Sequence, residues 1–303
     1  MNAFIRVRDD IRKYVLSREM LFLKIWNGLV AFVGLLCISA NFGHFKQVSN
    51  IGVSIILSII CAFFPIRGVS IVLAAVLFID LLSIKAEIAL VALAMVIIGY
   101  VVCAYFRSKN TYNMVVVPIC YSFGAPYVMS LACGLMSSIE ELASVICGSV
   151  IAFYLHVIKE NITSITDVNS PVSAISLVKE QMISNKMFWF FIAAMTAMFL
   201  VVYFLRRSSI NMSWIVANAV GVAIEFIIML SGYLFTSQKS EIPGLILGNI
   251  LVLIVGVILN YFVLDLDYSR IEKVQFEDDD YYYYVTAVPK IRIVEEDKEI
   301  KKF

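Results

Sequence analysis

Apolar segments long enough to cross a lipid bilayer recur along almost the whole chain. A transmembrane helix needs about 17–25 predominantly apolar residues to cross a hydrocarbon core about 30 Å thick. The clear segments lie at 20–41, 69–84, 87–106, 113–135, 142–158, 187–205, 212–236 and 243–264. A shorter segment at 49–65 is either a short span, a re-entrant piece or half of a tight hairpin. The pattern predicts an all-α polytopic membrane protein with eight or nine transmembrane helices and a short β-prone C-terminal tail.

The composition supports lipid rather than water as the solvent for most of the chain. Hydrophobic residues make up 61% of the sequence and charged residues 16%. Soluble domains are usually about 45–50% apolar and about 25% charged. Because the surface of a soluble protein must still be covered by polar groups, this excess of apolar residues cannot be buried in one soluble core.

The order of polar and apolar segments divides the chain into five parts. They are a basic N-terminal segment (1–19), a first transmembrane helix group (20–158), a polar loop (159–186), a second transmembrane helix group (187–264) and an acidic, Tyr-rich soluble tail (265–303). Within the polar loop, Ser170 and Pro171 are suitable first residues for an amphipathic surface helix over 171–184. Such a helix is either a plain connector or a docking helix for a partner.

Charge predicts the side of the membrane for the N-terminus but leaves the tail ambiguous. The N-terminal cluster of Arg and Lys residues precedes the first span, which is typical of a cytoplasmic N-terminus in a bacterial plasma membrane. Nine spans place Arg107 and Lys109 inside and the tail outside. Eight spans place the tail and Arg206 inside but leave Arg107 outside, so the positive-inside rule does not select between the two counts.

Glu225 is the leading candidate for a transport or coupling residue. It lies near the middle of the 212–236 span, where a charged side chain costs at least about 2.5–3.5 kcal/mol. Asn218 lies on the same helix face as Glu225, and Asn249 is a polar residue of the next span. The alternative is that Glu225 is a neutral, hydrogen-bonded structural carboxyl.

Small residues and helix breakers mark expected packing sites. Gly244 and Gly248 form a GxxxG pattern and Gly256 continues it, so these three residues are predicted to allow close helix packing. Within the 113–135 span, Pro118, Gly124 and Pro126 predict either a kink or a broken helix of the kind found at transport sites.

No pattern in the sequence predicts catalysis, a metal site or a cofactor. The chain lacks the P-loop, H-E-x-x-H and G-x-S-x-G motifs, and its cysteines lie in apolar runs without a C-x-x-C pair. We therefore expect a non-enzymatic protein with no metal, in which the cysteines are packing residues. No basic domain or aromatic platform indicates nucleic-acid binding.

The acidic tail carries the strongest strand signal. Tyr281, Tyr282, Tyr283 and Tyr284 begin a segment rich in aromatic and β-branched residues that ends before Pro289, and three aspartates precede it as a turn. Two strands alone are marginal in water. The four tyrosines are therefore predicted to dock a partner by strand addition, with a solvated tail as the alternative.

The tail segment DYSRIEKVQFEDDDYYYYVTAVPK (267–290) also resembles the C-terminal signature of uncharacterised multi-pass proteins of anaerobic Gram-positive bacteria. Some members are loosely described as ABC transporter permease-like. The resemblance implies a transport subunit whose ATPase is a separate chain, and it assigns no functional residue. The sequence therefore favours a permease-like subunit, with a non-catalytic membrane scaffold as the alternative.

Overall fold

The protein is a bundle of helices followed by a small sheet. A computed structural model describes residues 2–43, 50–166, 173–208, 212–263, 272–277 and 282–287. The helices in its first half are α1 (Asn2–Ser17), α2 (Glu19–Asn41), α3 (Ile51–Ala62), α4 (Ile66–Ile84), α5 (Ala86–Tyr105), α6 (Asn113–Ser122), α7 (Tyr127–Met136) and α8 (Glu141–Glu160). Those in its second half are α9 (Ile162–Thr166), α10 (Ala174–Leu177), α11 (Lys186–Arg206), α12 (Ser213–Phe235) and α13 (Ile242–Val263). A π-helix at Val178–Ile183 follows α10, and a 3-10 turn at Lys239–Glu241 precedes α13.

Within the described ranges, seven helices are long and apolar enough to cross a membrane. They are α2, α4, α5, α8, α11, α12 and α13, the last extended by its preceding turn. These helices establish a multi-pass, membrane-embedded protein. The short apolar helices α3, α6 and α7 occupy the other two segments that the sequence marks as apolar. At 1.5 Å per residue, α3 is about 18 Å long, which is too short to cross the hydrocarbon core alone.

The segment predicted as one span at 113–135 is a broken pair of helices. The backbone of Gly124 has φ of +72°, a left-handed conformation that glycine adopts without strain. Pro126 has no amide hydrogen and cannot continue the ladder of α6. Of the two alternatives left by the sequence, the structure has the broken helix rather than the kink, and Pro118 lies inside α6 without ending it.

The two halves of this broken segment enter and leave by the same face of the bundle. Glu141, at the start of α8, binds the loop that leads into α6, so α6 and α8 begin together. α7 runs parallel to α11, because Ser130 donates to the Met195 carbonyl at 2.6 Å and Arg206 donates to the Leu135 carbonyl. Since α8 and α11 run in opposite directions, α6 and α7 form a re-entrant hairpin.

We call the face where this hairpin enters the arginine face. Four helices begin at this face (α2, α4, α8 and α12), and three end there (α5, α11 and α13). For example, Arg67 at the start of α4 donates to the Lys109 carbonyl just after the end of α5. Arg18, Arg67, Arg107, Arg206 and Arg207 lie at this face, at or beside the helix ends that meet there. Five described lysines lie toward the opposite face, at positions 85, 159, 179, 186 and 239, whereas Lys109 lies at the arginine face.

The largest buried core joins both predicted helix groups. It includes Leu81 and Ile88 from the first group and Phe199, Val222 and Val252 from the second. A separate cluster joins α2, α3 and α4. The polar loop at 159–186 therefore does not coincide with a boundary between cores.

Two further segments complete the described structure. In the region predicted as a surface helix at 171–184, Met182 is buried while Ile175 is exposed. The predicted start of that helix at Ser170 and Pro171 lies outside the described residues.

In the tail, β1 (Glu272–Glu277) pairs antiparallel with β2 (Tyr282–Ala287), with Phe276 opposite Tyr283. Tyr281 and the three aspartates lie outside the described residues.

Candidate functional site

The tip of the re-entrant hairpin packs directly on α13. A Cβ atom added at Gly248 would lie only 2.5 Å from the carbonyl oxygen of Gly124. The Gly124 amide donates to the Tyr121 carbonyl at 2.9 Å, and the Ala125 amide donates to the Cys120 carbonyl at 3.1 Å, which closes the turn. The absence of a side chain at Gly248 thus allows the hairpin tip to reach the backbone of α13.

Glu225 is buried on α12 in the same region. Its side chain is 0% exposed, and neither carboxyl oxygen has a hydrogen-bond partner among the described residues. Asn249 of α13 lies close to the Glu225 carboxyl, but the contact between them does not meet the geometry of a hydrogen bond. The Asn249 amide nitrogen donates instead to the Leu245 carbonyl at 3.1 Å. Tyr127, the first residue of α7, is also close enough to interact electrostatically with Glu225.

A second unsatisfied polar group lies along the same helix interface, toward the arginine face. Asn218 is buried, and neither its amide nitrogen nor its oxygen has a partner in the described part of the chain. Gly256 of α13 packs against it, since a Cβ there would lie 2.9 Å from the Asn218 nitrogen. Glu225, Asn249 and Asn218 therefore form a buried polar line between α12 and α13.

The chemistry open to this polar line follows from the groups in it that have no hydrogen-bond partner among the described residues: both Glu225 oxygens, the Asn218 amide and the Asn249 oxygen. A buried polar group normally forms hydrogen bonds, and an ionised carboxyl away from water is stable only when it is paired. Glu225 therefore needs a proton or a cation. The neighbouring amide oxygens of Asn218 and Asn249 are acceptors that can receive a donor or contribute to a cation site.

A cavity of about 280 Å³ lies on the other side of α6. It is enclosed by α2, α4, α5, α6 and α8, and most of its lining is apolar. Polar residues line it near the opposite face, where Asn41 donates to the Ser122 hydroxyl at 3.2 Å and where His156 and Lys159 lie at the end of α8. The ring of His156 also packs on Tyr121, with 5.2 Å between centroids.

A third buried polar site, which the sequence analysis did not identify, surrounds Glu141. The side chain is 1% exposed, and its carboxyl accepts hydrogen bonds from the Ser108 hydroxyl at 2.7 Å and from the backbone amides of Lys109 at 2.7 Å and Asn110 at 3.0 Å. Because Glu141 is the first residue of α8, its position also suits the positive end of that helix. The fully satisfied bonding indicates that Glu141 joins the α5–α6 connection to α8.

The structure brings together most of the residues predicted from sequence. Asn218, Glu225 and Asn249 share one helix interface, and Gly248 and Gly256 both allow close packing. Gly244 differs, since a Cβ there would meet no described atom within 4 Å, and close packing at this residue stays a prediction. Tyr282, Tyr283 and Tyr284 lie in β2, which pairs with β1 in the tail.

Clusters of three or more His, Cys, Asp or Glu side chains placed to hold a metal do not occur among the described residues. Comparison of the chain with family models, with curated proteins and with solved structures finds no match.

Proposed function

We propose that the chain is a permease-like transport subunit without its own ATPase, with Glu225 as the residue that couples binding to movement. The observation that carries this proposal is the buried Glu225 carboxyl, which has no hydrogen-bond partner among the described residues and lies beside the tip of a re-entrant hairpin. Ionisable residues inside a membrane usually belong to substrate, ion or proton pathways. Broken helices that end within the bilayer commonly form such sites in transporters.

The proposed role of Glu225 is to hold either a proton or a cationic group. Protonation makes the carboxyl neutral and compatible with its apolar surroundings, whereas an ionised carboxyl requires a bound cation. The Gly124–Gly248 contact lies next to it, so a shift of the hairpin tip would change access to Glu225. This arrangement supports coupling between occupancy of the carboxyl and the position of the hairpin.

The test begins with mild detergent purification from the native membrane and identification of each co-purifying chain. The protein, with any ATPase recovered, is then reconstituted and supplied with isotopically labelled amino acids, sugars, nucleosides and inorganic ions. We expect accumulation of at least one solute above empty liposomes, and loss of that accumulation in Glu225→Gln, because glutamine keeps the shape but cannot exchange a proton.

The matched control is Glu87→Gln, which alters an exposed carboxyl at the start of α5 and should leave uptake unchanged. Glu225→Gln should also retain wild-type thermal stability, since the carboxyl it replaces has no bonds to lose among the described residues. Wild-type protein that accumulates no solute with or without ATP, or a Glu225→Gln variant that transports normally, would reject the proposed role.

We further propose that the arginine face is cytoplasmic. The positive-inside rule assigns the arginine-bearing short loops to the cytoplasm. With α6 and α7 as a re-entrant pair, both the N-terminal cluster and the end of α13 lie at this face. Alkaline phosphatase fused after Lys85 or Lys239 should therefore be active, and the same enzyme fused after Lys109 or Phe303 should be inactive. Activity of the Phe303 fusion would reverse the assignment of the tail.

A scaffold that recruits partners through its tail is the second candidate function. The described part of the tail is a two-stranded sheet, and such a sheet is marginal in water unless another element covers it or extends it. Deletion of 268–303 should then remove a soluble partner from the purified protein while the helices remain folded. Retention of every partner after the deletion would exclude docking by strand addition.

A further inference from the structure

Three sulfur-bearing side chains from three helices meet near the arginine face. They are Cys103 of α5, Met114 of α6 and Cys147 of α8. The Cys103 Sγ atom lies 3.6 Å from the Met114 Sδ atom, and Cys147 packs against the cluster that these two residues form with Ile151. These residues are far apart in sequence and have no C-x-x-C spacing, so only the packing of α5, α6 and α8 brings them together.

Most of the cluster is buried inside the bundle. Cys103 and Met114 are buried, Cys147 is half-buried, and the half-buried Met95 packs against the same group. Gly99 provides the space for it: a Cβ there would collide with the Met114 methyl group and lie 3.3 Å from the Met114 sulfur and 3.4 Å from the Cys147 Cβ. A larger residue at position 99 would therefore push the sulfur atoms apart.

The cavity between α2, α4, α5, α6 and α8 leads to this cluster. Met114 lines the cavity, which also contains Cys37 on α2 and His156 on α8 in its wall. A small ion entering from the side of His156 therefore has a route past soft ligands to Met114. This route is separate from the polar line of α12 and α13.

We propose that Cys103, Cys147 and Met114 bind one Cu⁺ ion. Thiolate and thioether ligands select Cu⁺ over hard cations such as Mg²⁺ and Ca²⁺, which prefer oxygen. Binding releases a proton from a cysteine thiol, since the thiolate is the ligand. Cu⁺ with one thiolate forms a neutral unit, which suits a site surrounded by apolar side chains. The same sulfur atoms suit Ag⁺, which is the redox-inert probe for this site.

The test is a competition titration of the reduced, detergent-solubilised protein with Cu⁺ in the presence of bicinchoninate, a colorimetric Cu⁺ chelator. We expect the wild type to remove one equivalent of Cu⁺ from the chelator. Cys103→Ser, Cys147→Ser and Met114→Leu should each bind at least about tenfold more weakly, because loss of even an outer-shell partner weakens metal sites by about 10–100-fold. X-ray absorption of the Cu⁺-loaded protein should show sulfur ligands.

Matched controls separate binding from folding. Cys61→Ser alters a buried cysteine of α3 in a different cluster, and Met198→Leu alters a buried methionine of α11; both should bind Cu⁺ like the wild type. Met114→Leu nearly conserves volume, so it should remain folded even if a serine variant does not. Wild-type protein that cannot compete for Cu⁺, or equal affinity in Met114→Leu and Met198→Leu, would overturn the proposal.

Discussion

Replacement of Glu141 by alanine should lower the free energy of unfolding by about 3–5 kcal/mol, since each buried donor left without an acceptor costs about 1–3 kcal/mol. The Ser108 hydroxyl and the backbone amides of Lys109 and Asn110 all donate to this carboxyl. The two amides belong to the backbone and cannot turn to other acceptors without moving the loop. The expected consequence is separation of the α5–α6 connection from the start of α8.

Unfolding of the purified protein by increasing SDS in mixed micelles measures this effect, and protease cleavage near 106–112 reports the release of the loop. The matched control is Glu140→Ala. Glu140 is the adjacent carboxylate, but it is exposed and accepts a hydrogen bond from the nearby Ser138 hydroxyl. Similar unfolding midpoints for the two variants would mean that the bonds to Glu141 contribute little to stability.

Alanine at Gly248 and alanine at Gly244 should change stability in opposite directions. At Gly248 the new methyl group would lie 2.5 Å from the Gly124 carbonyl oxygen, so the hairpin tip must move away from α13. Overpacking of this kind costs about 1–3 kcal/mol. At Gly244 the methyl group enters open space among the described residues, and alanine is favoured over glycine in a helix by about 0.5–1 kcal/mol.

The same SDS titration distinguishes the two glycine variants, which lie one helical turn apart on α13. Gly248→Ala should unfold earlier than the wild type and Gly244→Ala slightly later. Because the Gly124–Gly248 contact lies next to Glu225, Gly248→Ala should also reduce solute uptake in the reconstituted system. If Gly248→Ala is as stable as Gly244→Ala, the hairpin tip does not contact α13 as described.

The sequence predicts several residues of the polar line because their signals are local. A glutamate within an apolar run is exceptional wherever it occurs, so Glu225 could be selected without knowledge of its neighbours. Helical spacing then placed Asn218 on the same face. The contact between the α12 and α13 polar residues was not predictable, since it depends on which faces of the two helices meet.

Two other sites depend on contacts between distant segments. In the sequence, Glu141 looks like an ordinary acidic residue at the start of a helix. The groups that donate hydrogen bonds to its carboxyl lie 31 to 33 residues earlier in the chain. Cys103 and Cys147 lie in separate apolar runs, and their spacing carries no signal of a pair. Only the packing of α5, α6 and α8 decides that these residues meet.

By itself, the sequence determined that the chain is a multi-pass helical membrane protein, because hydrophobicity and segment length decide whether a helix is stable in lipid. It also identified Gly124 and Pro126 as helix breakers. Only the tertiary structure decided that the broken segment returns to the face it entered, which brings Arg67, Arg107, Arg206 and Arg207 to one side. The physical reason is that a break in the backbone is a local property, whereas the direction taken after it is set by packing against α8, α11 and α13.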